Sequence, residues 1–92
     1  MFTKDDFIAA MVKVERAVDM HDGLRRRTLG PGFSLPAKIT VERDGFTIEI
    51  DVLPGDLRKR RHSTIHSGSC ETPMAAADDL IAHLHIWAKA IA

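Results

Sequence analysis

The sequence holds one cysteine, no tyrosine, one tryptophan and no net charge at neutral pH. A single cysteine, Cys70, excludes an internal disulfide and the small secreted scaffolds built on several of them, so a reducing, cytoplasmic setting is expected. No apolar run approaches the roughly 20 residues needed to cross a bilayer, and the stretch that comes nearest, residues 80–88, already contains His83 and His85. Lys4, Asp5 and Asp6 stand ahead of the apolar-rich stretch that starts at Phe7, which is not a secretory pattern. Six glycines and four prolines are too few for a collagen-like or low-complexity chain. What is present is ordinary for a globular protein: 45% hydrophobic and 28% charged residues over 92 positions. That length supports one core and a single domain over residues 1–92.

The local signals predict two helices and a hairpin. Thr3 with Asp6 forms a capping box, Phe2 and Phe7 flank it, and Asp5 and Asp6 suit the positive end of a helix dipole. Phe7, Met11, Val14 and Val18 then draw one apolar stripe, widened by Ile8, Ala10 and Ala17. The helix is expected over residues 4–22, with Asp22 and Gly23 as its stop. Residues 23–35 read as a long loop or a hidden edge strand, with Leu24, Leu29, Phe33 and Leu35 available to pin it to the core. Residues 38–52 alternate on both sides of Asp44-Gly45, a strong hairpin signal. A turn at those two residues sets Val41 opposite Ile48, Ile39 opposite Ile50 and Lys38 opposite Asp51. One face then collects Ile39, Val41, Phe46, Ile48, Ile50 and Val52. A third, charged edge strand is expected within residues 58–67, with Ser63 and Ile65 on one parity and His62, Thr64 and His66 on the other. Thr72 and Pro73 open the last helix, expected over residues 73–91, whose apolar face carries Leu80, Leu84, Trp87 and Ala88. The fold class is therefore α+β: two helices on one face of a three-stranded antiparallel sheet, in the order α-β-β-β-α.

Catalytic patterns are weak. Cys70, Ser63, Ser67, Ser69 and five histidines occur without a nucleophile elbow or a phosphate-binding glycine loop, so no enzyme, cofactor or small-molecule substrate is expected. His62, His66 and Cys70 are spaced by four, but along a strand four residues span roughly 13 Å. One zinc ion cannot bridge that distance, and no metal site is expected.

Charge distribution is more informative. Arg25, Arg26 and Arg27, with Arg58, Lys59, Arg60 and Arg61, supply seven of the thirteen basic residues. No acidic residue lies between Gly23 and Val41 or between Leu57 and Cys70. His62 and His66 extend the second run and can donate to phosphate. Acid gathers instead on the first helix, at Asp5, Asp6, Glu15, Asp19 and Asp22, and near the second, at Glu71, Asp78 and Asp79. Two basic segments brought together would attract an anionic polymer, and RNA phosphate contacts are plausible. The competing reading is a solvated surface and a guarded edge strand. Phe33 can stack on a base or anchor its loop.

The element order resembles the double-stranded-RNA-binding domain, but residues 71–79 present Glu71, Asp78 and Asp79 where that family carries a lysine-rich motif. The strand over residues 46–52, the Leu53-Pro54-Gly55 turn and Thr72-Pro73 opening an alanine-rich helix resemble small antitoxins of the HicB kind. The whole chain, short, cysteine-poor and built on a hairpin and two helices, is similar to small phage-encoded anti-CRISPR proteins, in particular type I-F inhibitors. That resemblance implies a non-enzymatic inhibitor acting in a bacterial host cytoplasm. Its partner would be a Cas ribonucleoprotein, and its effect a block on target DNA recognition. Both surfaces then have a use, acid against Cas lysines and arginine against guide RNA. The alternative is a stand-alone nucleic-acid-binding or antitoxin-type regulator.

Overall fold

A computed structural model describes residues 2–21, 23–54 and 63–91. Helix α1 (Lys4–Asp19) starts where the capping box puts it: the Asp6 carboxylate accepts the Thr3 N–H at 2.7 Å, and the Asp6 N–H reaches the Thr3 hydroxyl at 3.3 Å. Ala10, Val14 and Val18 are buried, and Phe7, Met11 and Ala17 are half-buried beside them. The helix ends three residues earlier than expected. Met20 caps it in a right-handed conformation, and no left-handed glycine is used.

The segment read as a long loop or a hidden edge strand is mostly strand. β1 (Leu24–Arg26) is followed by a small hairpin of β2 (Thr28–Gly30) and β3 (Phe33–Ser34), turned by Pro31 and Gly32 with Gly32 at φ +82°. Proline followed by a positive-φ glycine is the type II turn requirement. β4 (Lys38–Glu42) and β5 (Gly45–Pro54) form the expected hairpin, β6 (Ser63–His66) follows, and α2 (Pro73–Ile91) closes the chain. Among the described residues the sheet therefore has four strands, β1, β4, β5 and β6, with the β2–β3 pair separate, rather than three strands in all. Charge hid β1. An arginine triplet has no strand signature, and its pairing with residues 52–54 is non-local.

β5 is the centre of the sheet. Glu49 pairs Lys38 on one side and His66 on the other, while Val52 pairs Arg26 and Ser63. Hence β4 and β1 share one edge of β5, end to end, and β6 occupies the other. Phe46 and Cys70 extend that second edge by exchanging N–H to carbonyl bonds of 2.8 and 3.0 Å. Even-numbered β5 residues face the core: Ile48, Ile50 and Val52 are buried. Against them lie α1, over β1 and β4, and α2, over β5 and β6, which contributes Ala76, Ala77, Leu80, Leu84 and Ala88.

The hairpin register differs from expectation. The turn is Arg43 and Asp44, so Val41 opposes Phe46, Ile39 opposes Ile48 and Lys38 opposes Glu49. Each partner moves by two residues, which preserves the faces because side chains alternate with period two. Lys38 accordingly approaches Glu49 at 3.7 Å instead of Asp51. Gly45 explains the shift. It lies in the strand at φ +154°, and a Cβ there would sit 2.4 Å from the Cys70 carbonyl oxygen. Its small size serves a close approach rather than the turn.

Candidate binding surface

The three arginines of residues 25–27 divide by strand alternation. Arg26, opposite Val52, turns to the helix side, where its Nε lies 3.1 Å from Asp19 Oδ1, its Nη2 3.3 Å from Oδ2, and its Nη1 3.6 Å from Glu15 Oε2. It is half-buried, its side chain 23% exposed. The stretch between Gly23 and Val41 holds no acidic residue, yet Arg26 finds its acid partners on α1. Glu15 and Asp19 lie one helical turn apart on the flank of α1 that faces β1, so the acid expected to form an open helix face is partly engaged. Glu15 also accepts the Ala37 N–H at 3.0 Å, tying α1 to the start of β4.

Arg25, opposite Leu53, lies on the outer sheet face and is exposed, and Arg27 is exposed beside it. The outer face also carries Lys38, Thr40 and Glu42 from β4, Thr47, Glu49 and Asp51 from β5, and Thr64 and His66 from β6. It is mixed in sign. Thr47 donates to Glu42 at 2.9 Å, and Thr64 donates to Asp51. His66 is exposed on this face, and its backbone carbonyl accepts from His83 Nδ1 at 2.8 Å. Arg58, Lys59, Arg60, Arg61 and His62 lie outside the described residues.

The β2–β3 hairpin projects from the edge shared by β1 and β4. Its base is closed by two bonds, Arg27 N–H to the Asp51 carbonyl at 3.0 Å and Leu35 N–H to the Arg27 carbonyl at 2.8 Å. Leu24 is buried and Leu35 half-buried, as anchors should be, but Leu29 and Phe33 are 77% and 71% exposed. Of the four residues available to pin this segment, Leu24 and Leu35 do so and Leu29 and Phe33 do not. The signal was available in residues 28–34, a short run on each side of Pro31 and Gly32. Beside the arm's base, where β1 and β4 both leave β5, an open cleft is lined by Met11, Leu35, Ile39 and Ile50, with Lys38 and Asp51 among its polar residues.

Two of the nucleophiles, Ser67 and Cys70, have structural roles. Ser67 is buried, and its hydroxyl accepts the Ile48 N–H at 2.9 Å while its own N–H reaches the Ile48 carbonyl at 2.9 Å. Gly68 N–H donates to Asp79 at 2.7 Å, fastening the 67–70 segment to α2. Burial, and secondarily the Asp79 carboxylate, push the Cys70 thiol above its ordinary value, away from the reactive thiolate. Cys70 packs against the core while His66 faces outward, so these two do not converge. Among the described residues, no group of three or more histidine, cysteine, aspartate or glutamate side chains is placed to hold a metal ion, and no helix is long and apolar enough to cross a membrane. Comparison with family models, curated proteins and solved structures finds no match.

Proposed function

We propose that this protein acts by stoichiometric binding rather than catalysis, docking on a nucleic-acid-containing assembly. The partner the anti-CRISPR likeness suggests is a type I Cas ribonucleoprotein, whose recognition of target DNA the bound protein would block. The observation that supports this reading most is the projecting arm. Leu29 and Phe33 stand in solvent on a two-stranded hairpin, where they contribute nothing to the core. Exposed apolar side chains gathered on a projection are a common mark of a contact surface. Arg25 and Arg27 flank its base, and that combination suits a ribonucleoprotein: arginine for phosphate, an aromatic ring for a base or an apolar protein pocket. The basic run at Arg58, Lys59, Arg60 and Arg61 would add to the same electrostatic attraction.

The test is binding of the full chain to a guide-loaded type I-F surveillance complex, alongside free RNA and DNA, with target-DNA binding as a competing readout. The expected result is capture by the ribonucleoprotein and loss of target-DNA binding. Leu29→Ser with Phe33→Ser should weaken capture at least about tenfold while changing stability by only about 0.5 kcal/mol, since both side chains are exposed. Salt-sensitive binding to free nucleic acid without ribonucleoprotein capture would favour the stand-alone regulator. No binding to either would remove the reading.

A further inference from the structure

The outer edge of β4 is matched to itself. Phe46 and Ile48 direct their backbone groups to Cys70 and Ser67, away from β4. The odd residues of β5 therefore bond to β4, through Lys38, Thr40 and Glu42, and alternation turns the N–H and carbonyl groups of Ile39 and Val41 outward. Among the described residues β4 pairs only with β5. An open edge of this kind is a template for another strand.

The sequence of β4, Lys38-Ile39-Thr40-Val41-Glu42, says which strand. Placed antiparallel to a second copy about Thr40, each Lys38 meets Glu42 of the other chain, and each Ile39 meets its Val41. This is also the register in which the outward-facing residues exchange both backbone bonds, because Ile39 and Val41 are the pair brought opposite. The registers two residues to either side are poorer: one sets Lys38 against Thr40, and the other sets Arg43 against Ile39 and Lys38 against Asp44, which lies in the turn beyond the strand. Apolar cover is present on the helix side. Val41 is 66% exposed. Ile8, 47% exposed, lies two helical turns before Glu15 and so on the same flank of α1, the one tied to Ala37 at the start of β4.

We propose that β4 is a homodimer edge: two copies join β4 to β4 about a two-fold axis at Thr40, forming one continuous sheet with both α1 helices on the same side. Such an interface is self-complementary by construction, as two-fold contacts must be. It leaves the β2–β3 arm and the 58–61 basic run outside the paired strand, so it does not depend on any nucleic-acid partner.

Charge reversal tests it. Lys38→Glu alone sets carboxylate against carboxylate at both ends of the paired strands, because each substituted position faces Glu42 of the other copy. Glu42→Lys alone sets lysine against lysine twice. Each should weaken self-association at least about tenfold, since like charges directly opposite are destabilising. Mixing the two variants pairs opposite charges at both ends, so a heterodimer should form where neither variant self-associates. Sedimentation of the full chain at about 100 micromolar and on dilution reads the mass, and Trp87 fluorescence checks that each variant is folded. Amide hydrogen exchange gives a second readout: Ile39 and Val41 should gain protection with concentration, while Thr40 is protected at every concentration. A monomer at the highest concentration overturns the proposal. A dimer whose reversed variants do not rescue each other, or whose Ile39 and Val41 amides stay unprotected, overturns it equally.

Discussion

Removing the Arg26 side chain should cost far more than removing its neighbours. Its guanidinium forms a two-pronged contact with Asp19 at 3.1 and 3.3 Å and lies 3.6 Å from Glu15, with the side chain 23% exposed. An exposed ion pair contributes about 0.2–1 kcal/mol, and paired, partly buried geometry belongs at or above the upper end of that range. Arg26→Ala also strips apolar stem from the helix side of β1. It leaves Glu15 and Asp19 facing each other one turn apart, a repulsion of about 0.3–0.5 kcal/mol. The expected loss is about 2 kcal/mol, or roughly a 10 °C fall in thermal midpoint for a domain of this size. Arg26→Glu places a third carboxylate in the cluster and should remove about 3 kcal/mol or more from a total that for small domains starts near 5 kcal/mol. Urea unfolding followed by circular dichroism and by Trp87 fluorescence measures both variants, with Arg27→Ala as the exposed control at about 0.5 kcal/mol or less. A double-mutant cycle of Arg26→Ala with Asp19→Asn isolates the pair. Arg26→Ala within about 0.5 kcal/mol of wild type, or a coupling energy near zero, would refute the clamp. If the clamp holds, reversing all three of Arg25, Arg26 and Arg27 cannot test binding, because unfolding would mimic loss of contact.

Three further outcomes follow from the geometry. Gly45→Ala should destabilise by about 2 kcal/mol or more, as the added methyl group would meet the Cys70 carbonyl at 2.4 Å on an unfavourable backbone conformation; denaturant midpoints report it. Ser67→Ala leaves the Ile48 N–H buried without its partner and should cost about 1–3 kcal/mol, whereas Ser69→Ala, at an exposed position, should be nearly silent. Cys70 should alkylate more slowly than an ordinary thiol at any given pH, with a rate that goes on rising past the ordinary thiol value of 9.0 before it levels off. The fold holds this proton more tightly than the unfolded chain, so its contribution to stability is whole below the ordinary value of 9.0 and fades as pH rises through the higher folded value. Iodoacetamide rates against pH check the first part, and rapid alkylation at pH 7 would contradict the burial.

Features encoded within one turn of helix or one strand were legible in the sequence. The Thr3 and Asp6 cap, the Thr72 cap and the alternation on both sides of the hairpin needed only neighbouring residues. Features set by distant partners were not. The triplet of Arg25, Arg26 and Arg27 looks like solvated loop until Leu53 and Val52 are known to lie beside it. Asp44-Gly45 looks like the turn itself, because the reason for a glycine at 45 sits 25 positions later, at Cys70. The arm was missed for a related reason: Leu29 and Phe33 resemble core anchors in composition, and only their position on a detached strand pair exposes them. The candidate site was legible only in part: the basic runs stand in the sequence, whereas the Arg26 contact with α1 and the exposure of Leu29 and Phe33 are set by packing between distant segments.

The central place of β5 also sets an order of events. Among the described residues every other strand of the main sheet bonds to it alone, so this sheet cannot start to form before residues 45–54 are available. On a growing chain, β1 would emerge early and wait unpaired. Leu24 lies 30 positions before its partner Pro54, whereas Ile39 lies nine before Ile48. Closing the longer loop costs about 1 kcal/mol more than closing the hairpin, by the logarithmic dependence on loop length. The β4–β5 hairpin should therefore assemble first, with β1 added beyond the end of β4 on the same edge of β5 and β6 added to the other edge. Substitutions within the hairpin, such as Ile48→Val, should then slow folding, while the same loss of a methylene in β6, Ile65→Val, should mainly hasten unfolding.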